Sequence, residues 1–163
     1  MSQPVRLRPP LERVASRARW MWMCTDLLRS VPVTTVLLLG NGPWGWFDLP
    51  HWVLAACAVI VLAYVVVVPQ WRYLVHRWEM TETAVYTQAG WWARERRIAP
   101  MSRVQTVDHR EGAIARLFGL ATVRITTASS AGALTIEGLD RARALALVDD
   151  LTRIADSVPG DAT

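Results

Sequence analysis

Residues 52–68, WVLAACAVIVLAYVVVV, contain no charged side chain. Continued to Trp71, the run reaches the ~20 apolar residues that a helix needs to cross a hydrocarbon core about 30 Å thick. A helix buried in a soluble protein is seldom so long or so rich in valine, so the run reads as a transmembrane helix over about 52–71. An earlier run, WMWMCTDLLRSVPVTTVLLLG at 20–40, reads as a second span. The segment between them, GNGPWGWFDLPH, is rich in turn formers. A signal peptide does not account for the first run, because another span follows a short loop and no A-x-A site precedes that loop. Together the two runs make a helical hairpin.

Its orientation follows from arginine. All 18 Lys+Arg residues are arginine, and none lies from Ser30 through Trp71. Six precede that interval, against Glu12 and Asp26, and twelve follow it, against eleven acidic residues. Basic residues flank the hairpin at its two chain ends, which places both termini in the cytoplasm and the loop outside. Trp20 and Trp22 at one end, Trp44, Trp46 and Trp52 at the other, and Trp71 on the return fit interfacial belts. The surplus of charge belongs to a basic arm at 1–19, and residues 72–163 are nearly neutral. The pI of 9.8 is therefore no sign of a nucleic-acid-binding domain, which would carry a basic face of its own. Cys24 and Cys57 sit in the apolar runs without the spacing of metal ligands.

After Trp71 continuous apolarity gives way to alternation. Strands are expected at YLVHRWEM, AVYTQ, WWARERRIA, RVQTVDH, LATVRITTA and GALTIEGL. In the third, Trp92, Arg94, Arg96 and Ile98 share one face, and Trp91, Ala93, Glu95 and Arg97 the other. GAIARLFGL suggests one or two helical turns closed by Gly119. DRARALALVDDLTRIADSV is an amphipathic helix with Asp140 as its N-cap and an apolar stripe of Leu147, Leu151, Ile154 and Val158. The expected organisation is a cytoplasmic arm at 1–19, a hairpin at 20–71, a domain at 72–158 and a disordered tail at 159–163. The domain would be an α+β unit, a curled antiparallel sheet of about six strands closed by a C-terminal helix.

The opening W-E-x-T-x-x-A-V-Y, the segments R-R-x-x-P-x-S-R-V-Q-T-V and R-L-F-G-L-A-T-V, and the I-E-G-L step into the last helix carry a resemblance. Over residues 72–156 the chain resembles the YdbS-like bacterial pleckstrin-homology (PH) family of small membrane proteins, and the preceding spans fit as well. The resemblance implies a PH-like domain on a two-helix anchor in the bacterial plasma membrane. It implies no catalytic residues and no cofactor.

Two residue groups stand out as candidate sites. Arg94, Arg96, Arg97 and Arg103, with Trp91 and Trp92, form a basic aromatic hairpin suited to anionic lipid, where each basic residue near the surface contributes about 1 kcal/mol. The same segment also reads as plain sheet structure, with Glu95 paired to an arginine. Asp26 and Arg29, three apart on one face of the first span, are a candidate intramembrane pair; Arg29 is also placed to snorkel toward headgroups. No nucleophile–base set, phosphate loop, dinucleotide fingerprint or metal-ligand cluster appears. The functional expectation is a membrane-anchored binding or scaffolding module without catalysis, whose partners are the bilayer and a protein partner or a second copy of itself, not nucleic acid. The alternatives are recognition of anionic lipid or a small ligand by the basic hairpin, and an accessory subunit of an envelope transport or resistance system.

Overall fold

The computed structural model describes residues 10–90, 92–128 and 132–157. The chain runs β1 (Glu12–Arg13), α1 (Ala18–Asn41), α2 (His51–Val75), β2 (Arg77–Met80), β3 (Ala84–Ala89), β4 (Glu95–Pro100), a 3-10 turn (Met101–Arg103), β5 (Val104–Arg110), α3 (Ala113–Leu117), β6 (Leu120–Thr127), β7 (Leu134–Asp140) and α4 (Arg141–Ser157). Expected Val158 and the tail at 159–163 lie outside the described residues, as does Trp91.

Both long helices are long and apolar enough to cross a membrane. At 24 and 25 residues they measure about 36–38 Å, longer than a hydrocarbon core of about 30 Å. Their outer lengths bare large apolar side chains, among them Leu27, Leu28 and Val31 on α1 and Ile60, Leu62 and Val67 on α2. A water-soluble surface rarely carries so continuous an apolar belt. Pro32 and Pro69 both lie inside the helices. The strand expected to begin at Tyr73 therefore starts only at Arg77, because α2 continues through Val75. Val65, Val68, Pro69 and Val75 are the buried positions of α2, spaced as one helical stripe. Loose alternation over so few residues does not separate a strand from a helix end.

Two antiparallel sheets form the domain, one in the order β1-β2-β3-β4 and one in the order β5-β6-β7. α4 packs on the second sheet through Ala144, Leu147 and Leu151, against Leu120, Ile125 and Ile136. The sheets do not close into a barrel. A depression of about 620 Å³ separates β4 from β7, with Arg96, Ile98, Arg103, Thr127 and Leu134 in its walls.

The main departure from expectation lies before the hairpin. Of the arm expected at 1–19, the described part from residue 10 onward is not a separate element: Glu12 pairs with Trp78 and Arg13 with Arg77, adding a seventh strand, among the described residues, to the six expected. Val14, Ala18, Met21 and Trp22 then enter the same buried cluster as the sheets and α4. Trp22, read as an interfacial belt residue, is only 3 % exposed and belongs to this core. Trp20, Trp44, Trp46, Trp52 and Trp71 are exposed. The helical hairpin is thus inserted between the first two strands of the domain.

Gly138 in β7 makes the insertion fit. The backbone N–H of Ala15 donates to its carbonyl at 2.9 Å. A Cβ at Gly138 would meet the Ala18 Cβ at 2.6 Å, and its φ of +76° lies in the left-handed region that disfavours other residues. Gly138→Ala is expected to lower stability by about 1–3 kcal/mol, read as a lower midpoint of thermal unfolding for the full chain in detergent. An unchanged midpoint would contradict this packing.

Candidate functional site

The buried stripe of α1 runs Ala18, Met21, Trp22, Asp26, so the carboxyl of Asp26 sits one turn beyond the tryptophan that anchors the helix in the core. On α2 the buried positions Val65, Val68 and Val75 lead to the partly buried Arg72 and to His76, which caps the helix. Where these two helix ends meet the open seam between the sheets there is a cavity of about 480 Å³. Asp26 and Arg29 line it from α1, and Tyr64, Val68, Arg72 and His76 from α2 and its cap. Thr87 and Ala89 contribute from β3, Gly90 from the turn after it, Glu95 and Arg97 from β4, and Thr135 and Glu137 from β7. Gly90 is required there, because a Cβ would strike the Ala93 carbonyl oxygen at 1.9 Å as β3 turns toward β4.

The charged groups are arranged as opposite pairs. Arg72 reaches Glu137 at 3.4 Å while its guanidinium lies 4.9 Å from the Trp22 ring centroid. Arg97 pairs with Glu95 at 2.7 Å and donates to the Ala133 carbonyl at 3.3 Å. Arg29 lies 3.7 Å from Asp26 Oδ1. Asp26 Oδ2 is buried and has no hydrogen-bond partner among the described residues. Leaving such an oxygen unsatisfied costs about 1–3 kcal/mol. Gln88 fastens the sheet to the helix beside the cavity: its Nε2 donates to the Val75 carbonyl at 3.0 Å, and its Oε1 accepts from Arg96 at 3.0 Å. Among the described residues no group of three His, Cys, Asp or Glu is placed to hold a metal ion.

His76 was expected on a strand; it instead caps α2, with its ring centroid 5.6 Å from that of Trp22. Burial pushes its pKa down from 6.5 to about 4, with Glu137 opposing the shift and Arg72 adding to it. A folded pKa below the unfolded one means that the neutral ring supports the fold above pH 6.5 and that this support is lost as pH falls toward 4. The loss amounts to about 3 kcal/mol at full extent. The unfolding midpoint of the full chain is expected to drop between pH 7 and pH 4.5 by clearly more than that of His76→Gln, and equal drops would contradict the assignment.

The residues singled out from sequence are dispersed around this seam. Trp92 is 88 % exposed in the turn between β3 and β4, and Arg94 is exposed beside it. β4 begins at Glu95, four residues later than the strand expected from position 91, because the chain first bends through 92–93. Arg96 and Arg103 face the depression between β4 and β7, and Arg97 lines both that depression and the seam cavity. Asp26 and Arg29 fall in the cavity wall. Arg72, His76, Thr87 and Glu137 were not singled out. One sequence signal pointed to the region, the glycine inside an otherwise regular strand at 138, which marks close backbone approach. Asp140, the expected cap, directly precedes α4 and is ion-paired with Arg17.

Comparison with known proteins agrees with this architecture. The chain is 28 % identical over 153 residues to UPF0699 transmembrane protein YdbS of Bacillus subtilis (strain 168), covering 90 % of this chain and 93 % of that protein. No solved structure matches it. Residues 28–154 match the family described as Bacterial PH domain, a stretch that takes in most of the hairpin, β2 to β7 and most of α4. This is a family of PH domains and not a known enzyme family, and the chain, a membrane protein with a two-helix hairpin, belongs to it.

Proposed function

We propose that the chain is a non-catalytic binding and scaffolding module, held at the cytoplasmic face of a bacterial plasma membrane with both termini inside. The observation that carries this reading is the insertion of the hairpin between β1 and β2, with Trp22 and Val75 buried at the two points of entry. A domain joined to its anchor at two points through its own core has a fixed height and tilt over the bilayer. That is the property a platform for a protein partner or a second copy needs. The distribution of arginine supports the inward orientation. The fixed geometry also supports lipid contact by the turn between β3 and β4, since the turn flanks a cavity shared with α1 and α2 and carries exposed Trp92 and Arg94.

Single cysteines in a background lacking Cys24 and Cys57 test the orientation. In intact cells Asp48→Cys in the connecting loop is expected to react with a membrane-impermeant maleimide, and Thr152→Cys on α4 only after permeabilisation. Labelling of Thr152→Cys in sealed cells would overturn the orientation. Extraction in mild detergent should recover the chain with a second species, its own copy or a partner, at fixed stoichiometry. Recovery only as a monodisperse monomer would count against scaffolding.

A further inference from the structure

Three observations converge on Asp26. Its side chain is 5 % exposed, and Oδ2 has no hydrogen-bond partner among the described residues. It lines the seam cavity, whose other acidic groups, Glu95 and Glu137, equal in number the arginines Arg29, Arg72 and Arg97 once Asp26 is included. It also lines a groove of about 310 Å³ between α1 and α2, where the walls turn apolar with Val33, Ile60 and Val61. Asp26, Arg29 and Tyr64 belong to both spaces, so the polar chamber and the apolar groove adjoin.

The chemistry of the occupant follows by elimination. An anion would meet the arginines but also three acidic side chains, and it would leave Asp26 Oδ2 without a donor. A simple cation would satisfy Asp26 and face the guanidiniums. A group that carries both a primary ammonium and a phosphate satisfies the two sets together. An ammonium supplies three N–H donors, and each guanidinium has five, so Arg72 and Arg97 keep donors for phosphate oxygens while holding their acidic partners. The chamber's size falls within the ~300–1,000 Å³ common for small-molecule sites. The adjoining apolar groove has no use for free phosphoethanolamine, but it suits an acyl chain.

We infer that the seam cavity holds the headgroup of an aminophospholipid, with the ammonium at Asp26, the phosphate at Arg72 and Arg97, and one acyl chain along the groove between α1 and α2. The inference rests on the reading that holds the domain against the membrane face with the turn between β3 and β4 in contact with lipid. Its test uses no oriented bilayer, so a failed labelling experiment and a failed binding experiment stay distinguishable.

The full chain in detergent is titrated calorimetrically with four probes: dihexanoyl phosphatidylethanolamine, dihexanoyl phosphatidylcholine, dihexanoyl phosphatidylglycerol and free phosphoethanolamine. The ethanolamine lipid is expected to bind at least about tenfold more tightly than each of the others, the loss associated with one missing charge-assisted hydrogen bond. The choline lipid lacks N–H donors, the glycerol lipid lacks the cation, and phosphoethanolamine lacks the chains. Asp26→Asn is expected to weaken the ethanolamine lipid about tenfold. Equal binding of the choline or glycerol lipid, or undiminished binding by Asp26→Asn, would overturn the inference. Phosphoethanolamine binding as tightly as the lipid would overturn the lipid assignment. Should Asp26→Asn fail to fold, the wild-type series decides alone.

Discussion

A helix longer than the hydrocarbon core it crosses must find cover for the turns that project beyond it. Here α1 and α2 each exceed that thickness by about 6–8 Å, a turn or more. With the helices crossing the bilayer as proposed, the surplus lies at the domain end, where Ala18, Met21 and Trp22 on one helix and Val75 on the other are buried. A tryptophan left at the interface contributes to anchoring only. One buried among Trp78, Leu139 and their neighbours ties the anchor to the core of the domain. The projecting turns are therefore part of the folded domain, and the remaining geometry depends on that burial.

The seam cavity is a consequence of the same arrangement. α1 comes down on β7 at Gly138, close enough that no Cβ fits between them, while α2 leads directly into β2. β4 and β7 stay unpaired with each other, and the helix ends roof part of the opening. Charges brought there from four elements sit at a boundary between polar and apolar surroundings, where opposite pairing limits the cost of desolvation. Asp26 is the exception, since one of its oxygens gains no donor from the described residues. An unsatisfied buried acceptor is a feature that a fold keeps only where something offsets it.

Much of the architecture was legible in the sequence because its signals are long. Seventeen uncharged residues and strands of six to eight residues each leave a trace long enough to read. The amphipathic stripe of α4 is of the same kind. Short or ambiguous features left none. β1 is two residues long, and its place in the sheet is decided by Arg77 and Trp78, more than sixty residues away. Trp20 and Trp22 look alike in sequence, yet one is exposed and the other buried, because the helical stripe passes through only one of them. The cavity was the least legible part. Asp26, Arg72, Thr87, Arg97 and Glu137 come from separate segments, and only the insertion of the hairpin brings them together.

The central claim is that residues ahead of the first span belong to the domain that follows the second. Thermal unfolding of residues 72–163 expressed alone tests it most directly. Without Val14, Ala18, Met21 and Trp22 the sheets lose one edge strand and a wall of the core, so this fragment should show no cooperative transition, while the full chain does. A fragment that unfolds cooperatively, at a midpoint like that of the full chain, would contradict the account.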